Sequence, residues 1–194
     1  TPSKTLQHPN DIYVYQENRQ VVEEICQKYG TFIISSLAKS PKALKRFWHY
    51  DTSLGYEYSW KEFLSKLHTG ATIPSNSLII IDRYMFAYNE GFDYRNGIRN
   101  IRALLEELLP PSFSDEYNIL LIFDDTKISR GASLDSVISA LQKIKKNIRP
   151  YVPTIEILTI NSEAGHEIYS ETHDRRLISN YYTIHGTRGF SAFV

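Results

Sequence analysis

The sequence predicts an α/β fold: a mostly parallel central sheet flanked by helices, closed by a C-terminal β-hairpin. Three observations predict it. Short apolar runs recur at residues 77–82 (SLIIID), 118–124 (NILLIFD) and 154–160 (TIEILTI). The stretches between them place aliphatic residues at helical spacing. The first two runs are continuously apolar, which suits strands covered on both faces. Strand, helix, strand, helix, strand is the βαβ pattern, whose parallel strands are joined by right-handed crossovers.

The elements follow in order. Residues 21–29 carry Val21, Val22, Ile25 and Tyr29 on one face and read as a helix. Residues 31–37 (TFIISSL), between Gly30 and Pro41, read as a buried strand. Residues 42–58 are rich in aromatics and lysine but lack a period, and read as a loop or short helix. Residues 60–67 form a short amphipathic helix with Ser59 as its N-cap and Gly70 beyond its end. The strand at 77–82 leads through a loop at 88–96 into a helix at 97–109. Ile98, Ile101, Leu105 and Leu108 make its stripe, and Pro110-Pro111 stops it. After the strand at 118–124, residues 134–148 turn Val137, Ile138, Leu141, Ile144 and Ile148 inward and Lys143, Lys145 and Lys146 outward. The strand at 154–160 follows. The predicted hairpin pairs residues 176–184 with 189–193 across the turn His185-Gly186-Thr187-Arg188.

The 194 residues carry 22 Lys plus Arg against 22 Asp plus Glu, for a formal charge of zero. That balance excludes a polybasic arm acting on nucleic acid or membrane through bulk charge. A hydrophobic share of 42% is that of a globular chain rather than a disordered one. The lone cysteine, Cys26, allows no intrachain disulfide and suggests a reducing, cytoplasmic setting. No apolar run approaches the roughly 20 residues of a transmembrane helix. The expectation is one α/β domain over 1–194, with 1–70 poorly assigned. A start without Met and the apolar ending Phe190-Ser191-Ala192-Phe193-Val194 suggest a domain excised from a larger protein.

Ligands of open α/β sheets bind outside the carboxyl ends of the strands. That rule singles out Asp82, Arg83 and Tyr84, then Asp124 and Asp125, then residues 161–176. Strand-end acids often cap the next turn, and they can also share a divalent cation. A sharper constellation is His173-Asp174-Arg175-Arg176-Leu177-Ile178-Ser179-Asn180. His173 and Arg175 emerge on one face of an extended strand. A guanidinium beside an imidazole can grip a phosphate while the imidazole donates, accepts or attacks. The competing reading is a surface of solvated salt bridges around a structural histidine. His166 and Glu167 match no standard metal-ligand spacing with His173, and no metal is assigned.

His173-x-Arg175-x4-Asn180 resembles a degenerate form of the His-x-Lys-x4-Asp motif of the phospholipase D superfamily, with Gly186-Thr187 near the place of its Gly-Ser pair. The chain is further similar to the phospholipase D-like C-terminal domain of microtubule-interacting-and-trafficking (MIT) domain proteins. That family has an apolar strand leading into Asp-Pro-Tyr, then later His-Asp-Arg and a Gly-Arg-Gly string. The counterparts are Asp82-Arg83-Tyr84, His173-Asp174-Arg175 and Thr187-Arg188-Gly189-Phe190. The likeness spans residues 77–193. It implies a phospholipase D-like fold with a pocket for phosphate formed by Arg175, Arg176, Asn180, Thr187, Arg188, Asp82 and Tyr84, with His173 catalytic only if the domain is active. It implies no cofactor.

The departures shape the functional expectation. Arg175 in place of Lys keeps the charge and alters the geometry. Asn180 in place of Asp supplies no charge to steady an imidazolium. One motif stands where the family's chemistry uses two histidines, and a homodimer could supply the second. The leading expectation is a non-catalytic or weakly active module that recognises a phosphate-bearing ligand (a nucleotide, a lipid headgroup or a nucleic-acid end) or a protein partner. The alternative is a phosphodiesterase or nuclease working as a homodimer with His173 as nucleophile. A third reading makes the aromatics of 47–60 and 84–94 a protein-binding face.

Overall fold

A computed structural model describes residues 14–15, 19–30, 34–35, 48–51, 61–62, 75–87, 93–160, 175–180 and 182–186. Among them β1 (Val14–Tyr15) and β2 (Ile34–Ser35) pair in parallel as a small separate sheet, with α1 (Arg19–Tyr29) between them in sequence. The helix starts two residues before the predicted one, and only the centre of the predicted strand at 31–37 is a described strand. Lys61 and Glu62 are helical, while the rest of the predicted helix at 60–67 lies outside the described residues.

The main sheet is six-stranded and mixed, in the order β3-β8-β7-β4-β5-β6. Its strands are β3 (Trp48–Asp51), β4 (Ser77–Ile81), β5 (Asn118–Phe123), β6 (Thr154–Thr159), β7 (Arg175–Ser179) and β8 (Tyr182–Gly186). The α/β prediction holds, but the sheet is not wholly parallel. β4, β5 and β6 are parallel, as are β3 and β8, whereas β7 pairs antiparallel with both β4 and β8. Helices α2 (Tyr94–Leu108) and α3 (Leu134–Asn147) supply the two connections of the parallel half and touch one another.

The C-terminal prediction needs correcting in two respects. The chain reverses between Ser179 and Tyr182, inside what the sequence suggested was one strand, and His185 and Gly186 belong to β8 instead of a turn. The resulting antiparallel pair also lies inside the sheet, with β4 on one side and β3 on the other. Residues 189–193 lie outside the described residues. The segment read as a loop or short helix contains β3, whose parallel pairing with β8 joins residues far apart in sequence and leaves no local period.

Register explains the core. Leu78 opposes Ile119, Ile80 opposes both Leu121 and Leu177, and Leu177 opposes Ile184. Opposed residues share a face, and all six are buried. They form one cluster with Ile101, Leu104, Leu105 and Leu108 of α2 and Val137, Leu141 and Ile144 of α3. Ile79, Ile81, Leu120 and Ile122 occupy the other face and are half-buried. Asp93 caps α2 by accepting from Arg95 N at 2.8 Å, and Ser133 caps α3 in a reciprocal pair with Ser136.

Candidate functional site

β4 and β5 end side by side on buried aspartates, 1% exposed at Asp82 and 2% at Asp124. Each carboxylate folds back on its own turn. Asp82 Oδ1 accepts from Tyr84 N at 2.9 Å, and Asp124 Oδ1 accepts from Thr126 N at 3.0 Å and Thr126 Oγ1 at 2.5 Å. These are the local side-chain turns that Asp favours where a strand stops.

The two turns are tied together. Arg83 Nε donates to Asp124 Oδ2 at 3.0 Å, Asp124 N donates to Arg83 O at 3.3 Å, and Asp82 N donates to Ile122 O at 3.1 Å. β7 brings in the third partner. Because Ile81 opposes Arg176, Arg175 stands level with Asp82 and on its face, and the two form an ion pair at 3.5 Å. A buried carboxylate needs such a partner, since an isolated charge in low dielectric is expensive. Tyr84 is 39% exposed above this network, with the guanidinium carbons of Arg83 and Arg175 lying 5.6 and 5.5 Å from its ring centroid. Those separations are within cation–π range.

The predicted site residues therefore divide. Asp82, Tyr84 and Arg175 come together. Arg176 lies on the opposite face of the sheet, opposed in register to His185. Asn180 lies at the far end of β7, where its side-chain oxygen accepts from Asn76 N at 3.0 Å and from Ser77 N and Oγ at 3.2 Å. His173, Thr187 and Arg188, with His166 and Glu167, lie outside the described residues. Among the described residues no three His, Cys, Asp or Glu side chains gather to hold a metal. Asp82 and Asp124, read from sequence as possible ligands, are instead engaged by arginines and backbone N–H groups.

No family model, curated protein or solved structure matches the chain.

Sequence reasoning noticed Arg83 at the strand end but gave it no role. Its signal was the matched position of two strand-terminal acids on adjacent parallel strands, which puts a residue following one within reach of the other. Chemically, the cluster sets two guanidiniums on buried carboxylates beside an exposed phenol. Its four charges cancel pairwise, so any anion affinity rests on directed N–H groups rather than excess charge. Among the described residues no helix is long and apolar enough to cross a membrane.

Proposed function

We propose that the chain is a phospholipase D-like module that binds a phosphate-bearing ligand and does not turn it over. The observation that carries this reading is the seating of Arg83 and Arg175 on buried carboxylates at the strand ends, flanking the exposed Tyr84 ring. Guanidinium groups held in place match the planar, bidentate geometry of phosphate oxygens, and holding them beforehand lowers the entropy lost on binding. The site opens at the carboxyl ends of β4 and β5, next to the point where the chain returns to the other side of β4 as β7.

Absence of turnover is favoured by where Asn180 sits. It occupies the acid position of the degenerate motif, yet five residues of extended strand separate it from Arg175, roughly 17 Å at about 3.3 Å per residue. Its amide is engaged with Asn76 and Ser77.

The test is binding of inorganic phosphate, a nucleoside monophosphate and vesicles bearing an anionic phospholipid, followed by calorimetry or sedimentation. Arg83→Ala and Arg175→Ala should each weaken the preferred ligand roughly tenfold, the worth of one charge-assisted contact. Arg176→Ala, on the opposite face, should leave it within twofold. Equal losses in all three would remove the strand-end cluster from the reading. Hydrolysis of a chromogenic phosphodiester by a verified dimer, abolished in His173→Ala, would replace the binding module with the enzyme.

A further inference from the structure

The outward side of the α2–α3 pair is a second place where the surface is shaped, and it is built from other elements than the strand-end cluster. There the helices leave a groove of about 280 Å³. Ile98, Ala140 and Ile144 supply aliphatic lining, and Arg99, Arg102 and Lys143 supply cations, with no carboxylate among the lining residues. Arg99 donates to a neutral acceptor, Asn96 Oδ1, at 2.7 Å, whereas Arg102 pairs with Glu106 at 2.7 Å. Lys143 makes no ion pair among the described residues. A chain with zero formal charge thus concentrates positive charge around an apolar trough.

We propose that this groove docks an acidic amphipathic helix of a partner protein. The lining selects the partner's chemistry: aliphatic side chains cover Ile98, Ala140 and Ile144, and carboxylates on either side meet Arg99 and Lys143. A trough between two helices accepts a third helix through side chains spaced three and four residues apart. Its volume, just under the roughly 300 Å³ at which ligand pockets begin, suits about two such anchors. A bilayer surface is flat and cannot follow the trough, so the concavity favours a peptide over an anionic membrane.

The experiment is a display selection on the folded chain with a library of 16-residue helical peptides, randomised at all outward positions. Enriched sequences should carry aliphatic residues at i and i+3 or i+4, flanked by Asp or Glu. Their affinity, read by fluorescence anisotropy, should fall roughly tenfold or more in Arg99→Glu/Lys143→Glu and weaken with added salt. Ala140→Trp, which fills the trough, should abolish binding. Lys127→Glu/Arg130→Glu makes the same charge change at exposed positions away from the trough and should leave affinity within twofold. Each variant is first checked for cooperative thermal unfolding. The proposal is overturned if nothing is enriched over the Ala140→Trp chain, if the enriched peptides are neutral or basic, or if the double reversal leaves their affinity unchanged. It is also overturned if the chain sediments with phosphatidylserine vesicles through these cations while binding no enriched peptide.

Discussion

Asn180 receives three hydrogen bonds on one oxygen, from Asn76 N, Ser77 N and Ser77 Oγ, and returns one from its amide nitrogen to Asn76 Oδ1 at 2.7 Å. The bonds fasten the β7–β8 reversal to the start of β4, across 104 residues of sequence at Asn76. They are exposed, so each adds at the low end of the about 0.5–1.5 kcal/mol a hydrogen bond contributes. Asn180→Ala should therefore cost about 1–2 kcal/mol in urea unfolding. Asn180→Asp keeps every acceptor and loses one donor, which a rotated Asn76 amide can meet. Its cost should stay below about 1 kcal/mol, and it should create no phosphodiesterase activity. Turnover appearing in the Asp variant would return this position to the reaction. In the sequence, Asp82, Tyr84 and Arg175 were legible as strand-end neighbours, and the structure brings them together. Asn180 lies apart from them, because a motif spacing is a distance along the chain and a β-strand converts it into separation. Arg176 lies apart for a related reason: adjacent residues on a strand face opposite ways.

At the scale of elements, α2 is fixed at both ends by contacts of different legibility. Near its start, a Cβ added at Gly97 would lie 2.1 Å from Met85 O and 2.8 Å from Phe86 Cδ1. The helix backbone thus presses directly on the turn that carries Tyr84. Alanine is the better helix former by about 1 kcal/mol, yet Gly97→Ala should lower stability by about 1–3 kcal/mol because backbone must move. A higher urea midpoint in this variant would show that the close approach is not maintained. At the other end, Arg149 donates through Nε to Leu109 O and Pro110 O at 3.2 and 3.1 Å, and through Nη2 to Leu109 O at 2.8 Å and to Glu106 O. The last carbonyls of a helix have no partner within it, and one planar guanidinium serves two of them here, Glu106 O and the C-cap Leu109 O, together with Pro110 O just beyond. Arg149→Lys should lose about 1–3 kcal/mol, nearly as much as Arg149→Ala, because a single ammonium cannot span those acceptors. Thermal unfolding of the two variants side by side decides it. The helices themselves were legible from their apolar period, and Pro110-Pro111 announced where α2 stops. The Arg149 cap, the β3–β8 pairing and the reversal between β7 and β8 were not. The first two depend on partners distant in sequence, and at the third Ser179 and Asn180 are a brief polar interruption between two β-prone runs.

The whole molecule divides along the same line. Its β4-to-β6 half is assembled from consecutive strands and helices, whereas the β3, β7 and β8 half needs the tail to return past β4. Two phenols lie in the core cluster to which both halves contribute. Tyr117 is buried, with its hydroxyl 2.6 Å from Ser75 Oγ, and Tyr182 at the start of β8 is buried as well. Burial pushes the Tyr117 and Tyr182 phenols well above the ordinary tyrosine range and the Tyr151 phenol up to about 12. The sign follows from proton binding. Below about pH 10 folded and unfolded chains both keep these protons, so the phenols add no pH dependence. Above it the unfolded chain releases them first, and stability falls by about 1.4 kcal/mol per pH unit for each fully buried phenol until its folded value is reached. Two such phenols remove about 5 kcal/mol between pH 10 and 12, comparable to the lower end of a domain's total stability. Urea unfolding measured from pH 8 to pH 11.5 should therefore show a level free energy up to about pH 9.5 and a steep decline beyond it. Tyr117→Phe separates this cause from general charge repulsion. Whatever the substitution costs at neutral pH through the lost Ser75 contact, the slope above pH 10 should become shallower by one phenol's share, about 1.4 kcal/mol per pH unit. An unchanged slope would assign the alkaline loss to repulsion across the surface rather than to the buried Tyr117 phenol.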